Sequence, residues 1–319
     1  MTESFNKAAV LGATGPTGLH LVPVLLEQGV AVRVVSRSAE NLESCFAALD
    51  VERHAADLLD PEATSRAVAG CDVAFYCVGL PGELMDRHPV AARNVTAGSG
   101  AAGARCVDVT GYWGYLPLVE TPLSERHPRT GGSPWMRYRR EAEDIFLEAG
   151  AAVVQLPDFY GPRVHTSTLQ QPLAEAAEGK AMNWMGAADT AREYAFVPDA
   201  MATVARLAAR PEAYGERWIV PGAGALTGRR TAEIAGEVLG RRVALRCAGL
   251  WTLRLVSLFN RPLRGFLQVV PDYLKPISYD AGKLEGLLGA QPQTPYEEGI
   301  RQTLEWIAGR RSAASTAAG

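Results

Sequence analysis

Three glycines spaced G-x-x-G-x-x-G, Gly12, Gly15 and Gly18, follow the apolar run Ala8-Ala9-Val10-Leu11. That arrangement suits the holding of phosphates. Gly12 permits a sharp turn after a strand, Gly15 lets a pyrophosphate approach the bare backbone, and Gly18 lets the next helix pack close on the strand. The helix is expected from Pro16 to Gln28, with Gly29 stopping it. Its first-turn N–H groups attract the phosphates, and Pro16 stands where a missing N–H costs least. Thr14 and Thr17 belong to the same phosphate turn. A strand before the glycines and a helix after them make this a dinucleotide-binding fingerprint. The second strand, Val30 to Val35, ends at Ser36-Arg37, where an acidic residue would meet a free ribose 2′-hydroxyl. A guanidinium at Arg37, with Arg33 just before the strand end, suits a 2′-phosphate instead. NADP is therefore the expected cofactor, with NAD as the alternative.

Composition narrows the classes. The chain has 319 residues, enough for a large core, with 47% hydrophobic and 21% charged residues, as in ordinary globular proteins. A net charge of −3 gives no nucleic-acid-binding surface. Basic charge is carried almost wholly by Arg; the lysines are Lys7, Lys180, Lys275 and Lys283. Five scattered cysteines, mostly in apolar runs, read as reduced thiols of a cytoplasmic protein. No apolar stretch of roughly 18 residues is present, so no membrane span is expected, and since the first apolar run is the cofactor strand, no signal peptide is expected. No metal site is expected.

The elements that must position these residues alternate. Further strands are expected at Asp50–Ala56, Asp72–Val78, Ala104–Val109 and Ala151–Leu156. Helices are expected from Pro61 to just before Gly70, Pro89 to Gly103 and Trp135 to Glu148, and Asp60 can cap the first of these. Such alternation implies an α/β fold, a doubly wound parallel Rossmann sheet, with Cys77-Val78-Gly79 at one strand end leaving room for the cofactor. Past Pro162 the rhythm changes. Helices at Thr168–Glu178, Pro198–Ala209 and Thr227–Leu239 mix with short strands at Arg192–Val197, Arg217–Val220 and Val243–Cys247. Gly249 to Lys275 is apolar and broken by Pro262 and Pro271, consistent with packed lobe helices; a membrane-surface or substrate-access role is its alternative. Helices at Asp280–Leu288 and Pro295–Ala308 close the chain. The division expected is residues 1–162 as the NAD(P)-binding domain and 163–309 as a smaller C-terminal substrate lobe with some elements returning to the sheet. Residues 310–319 are expected to be a disordered tail.

The chain resembles an atypical, extended short-chain dehydrogenase/reductase of the NAD(P)-dependent epimerase/dehydratase kind. The marks are Gly12-Ala-Thr-Gly15-Pro-Thr-Gly18, Ala56-Asp57-Leu58, Ala69-Gly-Cys-Asp72-Val-Ala, Tyr160-Gly-Pro162, Phe196-Val-Pro-Asp199-Ala-Met and Leu288-Gly289-Ala-Gln-Pro292. The resemblance implies that Asp57 and Leu58 flank the adenine. It also implies that Cys77, Val78 and Gly79 line the path to the nicotinamide, and that Pro157 and the Asp158-Phe159-Tyr160 turn lie beside it.

The family's proton chemistry uses Tyr-x-x-x-Lys on the helix before the sixth strand, assisted by a Ser or Thr after the fifth. Here that helix carries Trp135 in the Tyr position and Arg139 in the Lys position, and Thr110 holds the Ser/Thr place. Trp has no titratable proton, and Arg139 can hold a ribose or phosphate but cannot shuttle one. The alternative phenols are Tyr112, then Tyr138 one turn from Trp135, then Tyr160; each could equally be a pocket or core tyrosine. Asp158 and His165 could suggest an acid/base pair, though a loop Asp commonly bonds backbone. His20, His54, His88 and His127 show no ligand spacing. Trp113, Trp135, Trp184 and Met185 could wall an apolar substrate site.

Two functions fit. One is an NADP(H)-dependent oxidoreductase acting on a small or medium apolar carbonyl, imine or activated alkene by hydride transfer. The other is a non-catalytic NADP-binding regulator or redox sensor, supported by the missing pair. A sugar-nucleotide epimerase or dehydratase would need the Tyr base and polar sugar contacts. The partner expected is a small-molecule substrate, and a homodimer is compatible with the sequence.

Overall fold

The computed structural model describes residues 4–165 and 167–317. Seven parallel strands form the central sheet: β1 (Lys7–Leu11), β2 (Ala31–Ser36), β3 (Glu52–Ala55), β4 (Val73–Tyr76), β5 (Arg105–Gly111), β6 (Ala152–Leu156) and β7 (Arg217–Ile219). Their order is β7-β6-β5-β4-β1-β2-β3. The order reverses between β1 and β4, and open α/β sheets bind ligands beyond the strand ends at such a switch point.

Strand alternation assigns the two faces. Ala8 and Val10 of β1 and Val73 and Phe75 of β4 join one core, which α1 (Pro16–Glu27) completes. Ala9, Leu11 and Tyr76 join the opposite core. That second face is covered by α3 (Pro61–Val68), α4 (His88–Ala102) and α5 (Pro134–Glu148). The short helix α2 (Ala39–Phe46) was not anticipated from the sequence; Ser38 caps it, its Oγ accepting from Asn41 N at 3.1 Å.

Beyond β6 come α6 (Gln170–Ala177) and α7 (Val197–Ala208), and α7 packs against α1 on the first face. β7 then adds to the sheet beside β6, so residues 197–219 belong to the sheet layers although lobe residues precede them. The lobe pairs Met182–Met185 with Leu245–Ala248 in parallel, packed by α6 and α8 (Gly228–Leu239). Three short helices follow, α9 (Leu250–Ser257), α10 (Arg261–Phe266) and α11 (Val270–Tyr273), then α12 (Gly282–Leu288) and α13 (Tyr296–Ala317). The helix α13 runs through residues 310–317, where the sequence suggests disorder. Ala is the best helix former, and neither Pro nor Gly interrupts this Ala/Ser-rich stretch. Residues 318 and 319 lie outside the described residues. Among the described residues no helix is long and apolar enough to cross a membrane, and all five cysteines are free thiols.

Candidate active site

A cleft of about 290 Å³ opens at the carboxyl ends of β1, β2 and β4. Gly12, Thr14 and Gly15 form its floor, Ser36 and Arg37 one end, and Cys77, Val78 and Gly79 the other. Gly12 has φ +80°, and a Cβ there would stand 2.8 Å from the Cys77 carbonyl oxygen, so only glycine makes this turn. Gly12 N and Ala13 N both donate to Val35 O, at 2.9 and 3.0 Å, tying the turn to β2. The first turn of α1 has no side-chain cap, leaving its N–H groups open for an anion. These features fit a dinucleotide: a bare backbone cradle, an uncapped helix start and a cationic end. Pro16, Thr17 and Gly18 do not line the cleft. Thr17 is buried and Gly18 holds α1 against the turn, since a Cβ on it would lie 2.6 Å from Ala13 Cα.

Arg37 is exposed, and among the described residues its guanidinium makes no hydrogen bond or ion pair. Ser36 Oγ is turned inward to Ser38 N at 3.3 Å. Arg33 is different from the expectation. It is buried, its Nε bonds Glu52 at 2.8 Å, and its Nη1 donates to the carbonyls of Ala67 (3.0 Å) and Ala69 (2.8 Å) at the end of α3. It is consumed in joining α3 to the sheet. Asp57 and Leu58 line the cleft, Asp57 Oδ1 accepting from Leu59 N at 3.0 Å. Ser38 and Asn41 from the start of α2 line it too, a contribution the missed helix concealed.

At Gly79-Leu80 the cleft meets a second cavity, also about 290 Å³. Its walls include Trp113, Trp135, Tyr112, Tyr273, Pro157 and Asp158. The Trp113 and Trp135 rings stack, centroids 5.9 Å apart and planes 14° apart. Trp113 Nε1 donates to Tyr273 Oη at 2.9 Å. Trp184 is not part of this wall; it is buried in the lobe core against Gly228, and Met185 lies at the edge of the aromatic cluster.

Tyr112 walls the cavity. Its Oη accepts from Arg192 Nη2 at 3.0 Å, and Arg192 is itself held by the carbonyls of Asp272, Tyr273 and Lys275. Burial pushes the Tyr112 phenol up, while the Arg192 charge pulls it down. Tyr138 is half-buried on α5 and lines neither cavity. Thr110 is buried behind the wall, its Oγ1 without a protein partner. Tyr160, expected beside the nicotinamide, is instead buried in the lobe core, 5.9 Å from the Tyr296 ring and 5.5 Å from the Phe196 ring. Asp158 does not pair with His165. It accepts from Thr168 N at 3.0 Å and from the Thr168 hydroxyl, whereas His165 meets Arg310.

Arg139 enters the cavity from α5, and its Nη1 donates to His88 Nδ1 at 3.2 Å. Tyr76 Oη lies 3.0 Å from the same nitrogen. A guanidinium only donates, so Nδ1 is the bare nitrogen and the ring proton sits on Nε2. That Nε2 is buried without a protein partner, and His88 is one of the cavity walls. Burial and Arg139 hold the His88 imidazole well below its ordinary value, so it is neutral. A lone histidine at a helix start gives no sequence signal for this. One Tyr-x-x-x-Lys spacing does occur in the chain, away from α5, at Tyr279 and Lys283. It makes no pair: Tyr279 is buried against Tyr112, and Lys283 Nζ bonds Glu216 and the Arg217 carbonyl, each at 2.7 Å.

Residues 12–151 match the family model described as NAD(P)H-binding. A ceramide reductase of Caulobacter vibrioides is 31% identical over 168 residues, 50% of this chain and 49% of that protein. The chain spans about half the length of the curated relatives it matches. Among solved structures, epimerase Mth375 of Methanothermobacter thermautotrophicus superposes with a TM-score of 0.81 at 17% identity, over 98% of this chain and 94% of that one. UDP-glucuronic acid 4-epimerase of Bacillus cereus, solved with NAD, gives 0.77 at 15% identity, over 95% and 99%. The matched segment makes residues 12–151 similar to NAD(P)H-binding domains, and the likeness of the chain to these solved structures is one of fold.

Proposed function

We propose that the chain is an NADP(H)-dependent oxidoreductase that reduces a small or medium apolar carbonyl, imine or activated alkene. The observation that carries this reading is the continuity of the two cavities. A phosphate-holding cleft ends in a chamber walled by stacked indoles and one Arg-paired phenol. In this reading Gly12, Thr14 and Gly15, with the α1 start at Pro16, Thr17 and Gly18, cradle the pyrophosphate. Asp57 and Leu58 hold the adenine side, and Cys77, Val78, Gly79 and Pro157 line the path to the chamber. Ser36 and Arg37 take the 2′-phosphate, because Arg37 is unpartnered and Arg is the side chain best shaped for such a group.

The cofactor, when bound, supplies a hydride at the chamber. Tyr112 supplies the proton. Its raised pKa keeps the phenol protonated at neutral pH. As charge develops on the substrate oxygen or nitrogen, the Oη proton passes to it, and Arg192 stabilises the phenolate left behind. Solvent then returns the proton. Arg139 takes no part in proton transfer; its guanidinium fixes the tautomer of the buried His88 in the chamber wall. The indole stack favours apolar substrates, and the reductase name of the Caulobacter relative agrees with reduction.

The test is NADPH consumption over a panel of apolar ketones, enones and cyclic imines, with wild type and Tyr112→Phe. Wild type is expected to turn over at least one class. Tyr112→Phe is expected to lose about 10²-fold or more in kcat with NADPH affinity unchanged. Equal turnover by both proteins would remove Tyr112 from the mechanism. Tight NADPH binding with no turnover across the panel would favour the cofactor-binding regulator instead.

A further inference from the structure

Exposed large apolar side chains are concentrated in one place. Trp251 (80% exposed), Leu255 (63%), Val256 (46%), Leu258 (60%) and Phe259 (91%) all belong to α9 and the turn after it. Among the described residues the other large apolar side chain so exposed is Val119. Single exposed apolar residues are ordinary, but a contiguous patch marks an interaction surface. Only Ser257 of α9 is buried, so this helix presents its side chains outward rather than to the core.

The charge around the patch has one sign. From Arg246 to Pro271 the sequence contains Arg246, Arg254, Arg261 and Arg264 and no Asp or Glu, in a chain of net charge −3. Arg254 stacks over the Trp251 ring at 5.2 Å. Arg264 donates to the carbonyls of Ser257 (3.2 Å) and Leu258 (2.8 Å), closing the end of α9 and fixing the α9–α10 bend. None of these arginines is ion-paired within the described residues. The acidic groups on the element packed against α10 are Glu83 and Asp86, and Asp86 lies 3.7 Å from Arg87. Trp and Phe flanked by arginines match the interface of an anionic bilayer, where rings sit at headgroup depth and guanidinium groups meet phosphates.

The inner side of the same arm packs behind the aromatic wall of the second cavity. Gly265 of α10 lies against Trp135, where a Cβ would come within 2.8 Å of the indole, and the Phe266 ring is 6.1 Å from Trp113 and 5.1 Å from Tyr273. The arm therefore has one face on the chamber's aromatic wall and one face in solvent.

We propose that α9–α10 is a membrane-docking arm that seats on an anionic lipid surface through Trp251, Leu255, Leu258 and Phe259. Arg254 and Arg261 meet the headgroups, and the chamber is thereby held at the bilayer, where apolar substrates dissolve. Docking does not depend on the cofactor reading, because vesicle binding is measured without nucleotide and can fail while NADPH binding stands.

The experiment is flotation with vesicles of equal parts phosphatidylglycerol and phosphatidylcholine, with pure phosphatidylcholine vesicles as the comparison. The expected result is binding to the anionic vesicles that weakens as salt is raised. Trp251→Ser/Phe259→Ser should lower it at least roughly tenfold, and Arg254→Glu/Arg261→Glu should abolish the preference for anionic lipid. All these side chains are exposed, so the variants should keep the wild-type Tm. No binding by wild type, or equal binding by the variants, overturns the proposal. A dimer that Trp251→Ser/Phe259→Ser splits, without vesicle binding, also overturns it and assigns the face to a second copy of the chain.

Discussion

Arg33 and Arg37 show how much one strand exit decides. One lies within β2 and the other just past it, and either could meet a 2′-phosphate by charge alone. Arg33 is turned to the carbonyl end of α3, and Glu52 neutralises it. Arg37 is past the strand, in the cleft and unpartnered. The tyrosines divide in the same way. Tyr112 and Tyr160 each follow a strand of the sheet, but one faces the chamber and the other the lobe core. A residue-scale prediction concerns Asp108, buried on β5 with Oδ1 unpartnered. Burial and the nearby Glu143 push its carboxyl up to about 8. Between its unfolded value near 3.9 and about 8, the folded chain keeps a proton that the unfolded chain releases. Stability therefore falls as pH rises across that window. Asp108→Asn removes this contribution. The Tm of the variant, measured from about pH 5 to about pH 9, should fall less steeply than that of wild type. Parallel curves for the two proteins would show that Asp108 does not carry the proton.

The elements carry the site because of close approaches that small residues permit. α1 reaches the turn after β1 only through Gly18, where a Cβ would lie 2.6 Å from Ala13 Cα and 2.7 Å from Ala13 O. Gly18→Ala should cost about 1–3 kcal/mol by overpacking and weaken NADPH binding as the cradle shifts. Gly100, on the outer side of α4, is exposed with open space around it, so Gly100→Ala should be neutral or stabilise by about 0.5–1 kcal/mol. Thermal unfolding with and without NADPH checks both, and equal effects at the two glycines would contradict the packing argument. This first unit was readable because its chemistry is local: strand, glycines and helix are contiguous. The second cavity was readable only in part: the sequence singled out Trp113, Trp135, Tyr112 and Pro157, but not the distant residues that join them. Trp113 and Trp135 are joined to Tyr273 and Phe266, more than a hundred residues later. Arg140 bonds the carbonyls of Gly114 (3.1 Å), Leu116 (3.0 Å) and Gly131 (3.1 Å), fastening the Tyr112 turn to α5.

At the scale of the molecule, the switch point of the sheet, the cleft beyond it and the lobe that closes the chamber form one continuous path. The alternation of strands and helices made the sheet legible from sequence. The lobe was legible only as a change of rhythm, since its strands are two to four residues long and carry little pattern. The return of α7 and β7 to the sheet is a tertiary choice, set by the apolar face that α7 lays on α1. The most direct measurement is a titration of the chain with NADPH and with NADH, exciting tryptophan and following nicotinamide emission, on wild type and Arg37→Asp. The expected result is saturable binding with energy transfer from the Trp113–Trp135 stack. Wild type should prefer NADPH, and Arg37→Asp should weaken NADPH about 10-fold or more while sparing NADH, the loss of one charge-assisted contact. Equal weakening of both cofactors would remove Arg37 from the 2′-phosphate site, and no binding of either would contradict the assignment of the cleft itself.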